Sequence, residues 1–127
     1  MTDDDVMKEF NATVAKVRTS KSEQEQAEAA KHVFELTKGE RGGKFDDKTI
    51  MGLASLLDTT NDTVRYWVAR SIGNFGERAR MAAPKLEQVL AEVDCMEGSK
   101  TSASGIRFAL SQMGIEVPEP DCDTDKP

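Results

Sequence analysis

Residues 62–76 read Asp62-Thr63-Val64-Arg65-Tyr66-Trp67-Val68-Ala69-Arg70-Ser71-Ile72-Gly73-Asn74-Phe75-Gly76. Val64, Val68, Ile72 and Phe75 recur at steps of four, four and three residues. That spacing stacks side chains along one face of an α-helix, whereas a strand alternates with a period of two. Gly76 follows the last apolar residue, and glycine is the usual terminator because it tolerates a left-handed backbone. The stretch therefore predicts a helix over 62–75.

The same pattern continues in both directions. Upstream, Ile50, Leu53, Ala54 and Leu57 predict a helix over 47–58, capped by Asp46 or Asp47 and joined through the turn Thr59-Thr60-Asn61. Downstream, Leu86, Val89, Leu90 and Val93 predict one over 78–93, with Pro84 bending it or marking where its regular part begins. Ile106, Ala109, Leu110 and Met113 predict a helix over 100–113 that ends at Gly114. At the N-terminal end, Val6, Phe10, Val14 and Val17 predict a helix over 3–19. Ala27, Ala30, Val33 and Phe34 predict one over 23–38, opened by Ser22 and Glu25 as a capping box and closed by the loop Gly39-Glu40-Arg41-Gly42-Gly43. No segment reads as a strand. The expectation is an all-α domain over 1–114, about six antiparallel helices in three stacked hairpins, followed by an acidic, proline-containing tail over 115–127. Pro118, Pro120 and Pro127 with alternating acids predict an extended, weakly ordered tail.

Two of the helix pairs are similar to each other. Leu53 and Leu57 correspond to Leu86 and Leu90 at an offset of 33, and Val68, Ile72, Phe75 and Gly76 to Ile106, Leu110, Met113 and Gly114 at an offset of 38. The residues Asp62-x-Val64-Arg65-x-x-x-Ala69-x-x-x-Gly73-x-x-Gly76-x-x-Ala79, then Ala82-Ala83-Pro84-x-Leu86, resemble a HEAT-like repeat, more narrowly the short bacterial units of the phycobilisome-lyase type. The resemblance is best over 46–93 and extends to 114. It implies an α-solenoid fragment in which the second helix of each pair lines a concave face. It also implies a structural role for Arg65, tying neighbouring repeats through carboxylates and helix ends. The physics agrees, because one helical hairpin cannot cover its own apolar face and stacked hairpins can.

The chain has 127 residues, 38% hydrophobic and 31% charged, with a net charge of −6. The charge is uneven. Residues 1–9 carry −3 and residues 115–127 carry −4, which leaves the centre at +1. Within that centre, Arg65, Arg70, Arg78, Arg80 and Lys85 face only Glu77, so 63–85 is locally +4. The acidic start Met1-Thr2-Asp3-Asp4-Asp5 lacks the basic and apolar segments of a signal peptide, and no apolar run is long enough to span a membrane. A cytoplasmic protein is expected.

Chemistry finds little to work with. Cys95 and Cys122 lie 27 apart with no histidine near them, and a reducing compartment disfavours a disulfide. The single histidine, His32, excludes a Ser–His–Asp or Cys–His set as a ready reading. Gly39–Lys44 fails as a phosphate loop because its terminal glycines are one residue too close, Phe45 stands where Ser or Thr belongs, and no strand precedes it. Asp121-x-Asp123-x-Asp125 fails as a calcium loop because Lys126 occupies the glycine position. No catalytic residues, cofactor or metal are expected, and the chain reads as a non-enzyme.

Helical projection places Tyr66, Arg70 and Asn74 opposite the apolar stripe, with Trp67 beside them. On the last helix the equivalent positions are Ser104, Gly105, Phe108 and Gln112. Tyr, Trp and Arg are the residue types that dominate binding hot spots. Arg78 and Arg80 sit at a helix start, where cations oppose the dipole, so a phosphate or an acidic partner is one use for them. The candidate partner-binding set is Tyr66, Trp67, Arg70, Asn74, Arg78, Arg80, Phe108 and Gln112. The leading expectation is a bacterial protein–protein interaction module, either a toxin-neutralising immunity protein whose acidic ends meet a basic toxin or nuclease, or a regulatory adaptor. A nucleic-acid binder using 63–85 is the second expectation, and a lyase-type cofactor-attachment chaperone the third.

Overall fold

The computed structural model describes residues 3–38, 45–93 and 101–117. These residues form α1 (Asp3–Thr19), α2 (Glu23–Leu36), α3 (Asp47–Ser55), α4 (Asp62–Gly73), α5 (Ala83–Val93) and α6 (Ser102–Gln112), with no strand among them. The architecture is all-α. Two expected helices change character at one end. The helix expected over 47–58 tightens into a 3-10 turn at Leu56–Asp58, and the one expected over 78–93 opens with 3-10 turns from Gly76 to Ala82. Pro84 falls in the first turn of α5, where its missing N–H has no intrahelical partner to lose.

Four helix starts, those of α2, α3, α4 and α6, carry a side-chain cap. Asp46 accepts from the Thr49 amide at 2.8 Å and from its hydroxyl at 2.6 Å. Those bonds, the hydroxyl foremost, hold the Asp46 carboxyl below its ordinary pKa. Ser22 caps α2 by accepting from Glu25 N, but the Glu25 carboxylate accepts from the Ser20 hydroxyl at 2.8 Å, so the expected capping box is only half formed. The complete box is at α6, where Thr101 and Ser104 satisfy each other's backbone and start the helix two residues later than expected.

Helix α1 packs on α2, α3 on α4 and α5 on α6, while α4 lies between α2 and α6. Hydrogen bonds fix the directions. Asn61, the cap of α4, donates to Glu23 O at 3.0 Å and Gln26 Oε1 at 3.2 Å, both at the start of α2. Asp62 accepts from the amide and hydroxyl of Ser102, at the start of α6. At the other ends, Asn74 donates to Thr37 Oγ1 at 3.0 Å, and Arg80 Nε donates to Met113 O at 3.1 Å. Starts meet starts and ends meet ends, so α2, α4 and α6 run parallel in one layer. This order is compatible with three stacked hairpins.

The core collects Ile50, Leu53, Leu57, Val64, Val68, Ile72, Leu86, Ile106, Leu110 and Met113, all fully buried. Phe45, wrong for a phosphate loop, is a core residue. It is buried with its ring centroid 4.7 Å from Phe10 and 5.6 Å from Phe75. Arg65 Nε donates to Leu57 O at 3.0 Å and its guanidinium lies 3.8 Å from Glu92, so it ties the end of α3 to α4 and α5. Gly76 and Gly114, paired by the offset of 38, both hold positive φ, at +59° and +79°. The chain turns left-handed at the same place after α4 and after α6, a conformation glycine adopts without a Cβ penalty.

The first residues of the expected tail engage the body. Ile115 N donates to Leu110 O at 3.0 Å, and Ile115 and Val117 pack partly buried on the core. The glycine loop 39–44, Cys95, Cys122 and the aspartate series from Asp121 lie outside the described residues. No described helix is long and apolar enough to cross a membrane.

Candidate partner-binding face

The layer of α2, α4 and α6 brings four aromatic rings together. Tyr66 on α4 is only 5% exposed. Helix α6 covers it at Gly105, where an added Cβ would sit 2.9 Å from Tyr66 O. The Tyr66 ring meets Trp67 edge-on at 4.9 Å, and Trp67 packs against Phe34 of α2 at 5.2 Å. Phe108 of α6 is half-buried, its ring close to Gly73.

Cations lie over these rings. The Arg70 guanidinium sits 4.0 Å from the Phe108 centroid, 5.4 Å from Phe34 and 5.7 Å from Tyr66. Its Nη1 donates to Tyr66 Oη at 2.9 Å, while its Nε is buried with no acceptor among the described residues. Lys38 Nζ is 4.8 Å from the Phe34 centroid, and Lys31 Nζ is 5.7 Å from that of Trp67. Among the described residues, none of Lys31, Lys38 and Arg70 forms an ion pair. Glu28 and Glu35 are exposed on α2 without closing on them. Such cation–ring contacts are worth roughly 0.5–1 kcal/mol each at exposed sites.

The structure divides the sequence-derived set. Tyr66, Trp67, Arg70 and Phe108 come together. Tyr66 is a correction to the expected open strip, because α4 has neighbours on two sides and its ring is packed beneath Arg70 and α6. Asn74 is held at the end of α2 by Thr37 and the Phe34 carbonyl. Arg78 donates to Phe45 O and Arg80 to Met113 O, so both stitch loops to helix ends. Gln112 is exposed at the end of α6. Sequence reasoning missed Lys31 and Lys38 and placed Phe34 only as core. The signal for them was their spacing, since Lys31, Phe34 and Lys38 fall at i, i+3 and i+7, on one helical stripe.

The basic stretch 63–85 does not assemble into one cationic surface. Arg65 serves Leu57 O and Glu92, Arg70 the rings, Arg78 and Arg80 two separate carbonyls, and Lys85 pairs with Asp58. His32 is occupied as well, with Nε2 2.9 Å from Glu9 Oε1 between α2 and α1. Among the described residues, no group of three His, Cys, Asp or Glu is placed to hold a metal ion.

Two open grooves lie elsewhere. One of about 270 Å³ is bounded by Leu90, Ala91, Leu110, Ile115 and Val117, with Glu87 and Glu116 at its rim. The other, of about 260 Å³, lies among Val17, Arg18, Gln26, Ser55, Leu56 and Thr59. Neither brings an acid and a base together. In comparison with known proteins, the chain matches no family model, no curated protein and no solved structure.

Proposed function

We propose that this chain is a HEAT-like helical module that binds another protein and carries out no chemistry of its own. Its contact surface is the face of α2, α4 and α6 around Trp67, Arg70 and Phe108. The observation that carries the reading is the set of four clustered rings under cations that have no ion-pair partner among the described residues. Aromatic and arginine anchors on a packed, rigid base are what binding hot spots are made of. The HEAT-like reading draws support from the parallel layer, the matching glycines and the tie made by Arg65. A regulatory adaptor or an immunity protein suits a module of this size. Nucleic-acid binding through 63–85 draws less support, because those cations already serve contacts within the chain.

The test starts with immobilised full chain and a partner identified by mass, then expressed and titrated calorimetrically. Phe108→Ala is expected to weaken binding at least tenfold. Met51→Ala, a control on the 43%-exposed Met51 of α3, is expected to leave it unchanged. Equal affinity for Phe108→Ala and the parent chain would overturn the choice of face, with circular dichroism confirming the fold of both variants.

A further inference from the structure

We propose that the α2–α4–α6 face takes an acidic peptide segment, with a carboxylate gripped by Arg70 and flanked by Lys31 and Lys38. The inference deepens the binding reading above and rests on it. Three observations carry it.

First, like charges gather without compensation among the described residues. Lys38 and Arg70 share the Phe34 ring, at 4.8 and 5.4 Å from its centroid, so the two charges are about 10 Å apart at most. That is near the Debye length, and no carboxylate of the described residues is paired with either. An anion seated between them removes a repulsion that the free protein carries.

Second, Arg70 is under-satisfied. A guanidinium has five N–H donors in a planar fork. The described residues give it one acceptor, Tyr66 Oη, and leave the buried Nε with none. A carboxylate can meet a guanidinium edge with two parallel hydrogen bonds, and taking them at Nε and Nη2 requires the guanidinium to turn over Phe108, because Nε is buried.

Third, the rings select peptide over nucleic acid. Single-stranded nucleic acid binds by stacking bases on open aromatic faces. Here Lys31, Lys38 and Arg70 already lie over Trp67, Phe34 and Phe108. The chain's net charge of −6 also opposes a long polyanion, whereas a few carboxylates need only a local match.

Trp67 is the only tryptophan in the chain, so its emission reports this face alone. The full chain is titrated at about 50 mM salt with blocked hexaglutamate, with blocked hexaglutamine and with a thymidine oligonucleotide. Hexaglutamate is expected to give a saturable change that weakens as salt rises, and hexaglutamine none. Lys31→Gln with Lys38→Gln, both exposed positions, should weaken hexaglutamate at least tenfold with the fold intact. Arg70→Lys keeps the charge, loses the fork and should weaken it several-fold. A flat hexaglutamate titration, undiminished binding by the double variant, or tighter binding of the oligonucleotide would each overturn the proposal. The two readings separate cleanly. Partner binding that is lost in Phe108→Ala but unchanged in the double lysine variant, with hexaglutamate silent, removes the acidic segment and keeps the module. Hexaglutamate binding that needs the lysines, beside partner binding that ignores Phe108, removes the partner face and keeps the anion site.

Discussion

Helix α4 has two flanks built on different terms. Against α6 it packs backbone to backbone, through Gly105 against Tyr66 and Gly73 beside Ala109 and Phe108. Against α2 it packs through side chains, with Trp67 on Phe34 and the amides of Asn61 and Asn74 reaching across at either end. Contact made by missing Cβ atoms has no room to adjust. Contact made by rings and long cations does, and Lys31 and Lys38, two of the three cations without an ion pair among the described residues, sit on that side, with Arg70 between the flanks. Stability and adaptability are thus divided between the two flanks of one helix.

The largest effect is expected on the tight flank. An alanine Cβ at Gly105 would meet Tyr66 O at 2.9 Å and Tyr66 Cα at 3.2 Å, both backbone atoms that cannot swing aside. Gly105→Ala should cost about 3 kcal/mol, at the upper end of overpacking in a well-filled core. Urea denaturation measures it. A loss below about 1 kcal/mol would show that α6 slides easily, and the contrast between the flanks would collapse.

On the α2 flank a polar residue ties the helix starts together. Asn61 caps α4 through Val64 N and donates to Glu23 O and Gln26 Oε1. Asn61→Ala should cost roughly 1.5–2 kcal/mol. Asn61→Asp keeps the cap, loses the amide donor, and should recover about half of that. If the aspartate variant is as stable as the parent, the bonds to α2 contribute nothing.

These elements show what was legible in the sequence. The six helices were, because each carries an apolar stripe at helical spacing, and four of them open on a capping side chain, Ser22, Asp46, Asn61 or Thr101. The burial of Tyr66 was not. Projection assigns a helix one inward side, and α4, with neighbours on both flanks, buries Val64 and Tyr66 alike. The partners of Arg78 and Arg80 were hidden for a related reason. Phe45 O and Met113 O each lie 33 residues from the arginine that reaches them, and a local pattern cannot specify such a pairing. Four of the eight candidate contact residues nevertheless converge on one cluster: Tyr66 and Arg70 because i and i+4 positions on α4 are neighbours, Trp67 through its edge-on contact with Tyr66, and Phe108 because α6 packs along α4.

A smaller effect tests the boundary between the flanks. At Gly73 an added Cβ would lie 3.1 Å from Ala109 Cα but 3.2 Å from the Phe108 ring, which can turn. Gly73→Ala should cost about 1 kcal/mol, less than Gly105→Ala. Combined with Phe108→Ala, the two losses should sum to less than their separate values by several tenths of a kcal/mol or more. Strict additivity would place the whole clash on the Ala109 backbone and make both glycines equally rigid.

The smallest expected change is the most telling for function. Replacing Lys31 and Lys38 together by glutamine removes two cation–ring contacts, which alone would cost roughly 0.5–1 kcal/mol each. Both side chains are exposed, and that screens their contribution. The same change relieves repulsion between Lys38 and Arg70 about the Phe34 ring, which no carboxylate of the described residues offsets. The opposing contributions should leave stability within about 0.5 kcal/mol of the parent, as for most surface substitutions. Because repulsion is strongest when unscreened, the variant should gain relative to the parent at low salt and lose that advantage as salt rises. A uniform loss of about 2 kcal/mol at all salt concentrations would mean that the lysines act as structural covers for the rings. The looser flank would then serve the fold as fully as the tight one does, and its cations, unpaired among the described residues, would no longer argue for a ligand.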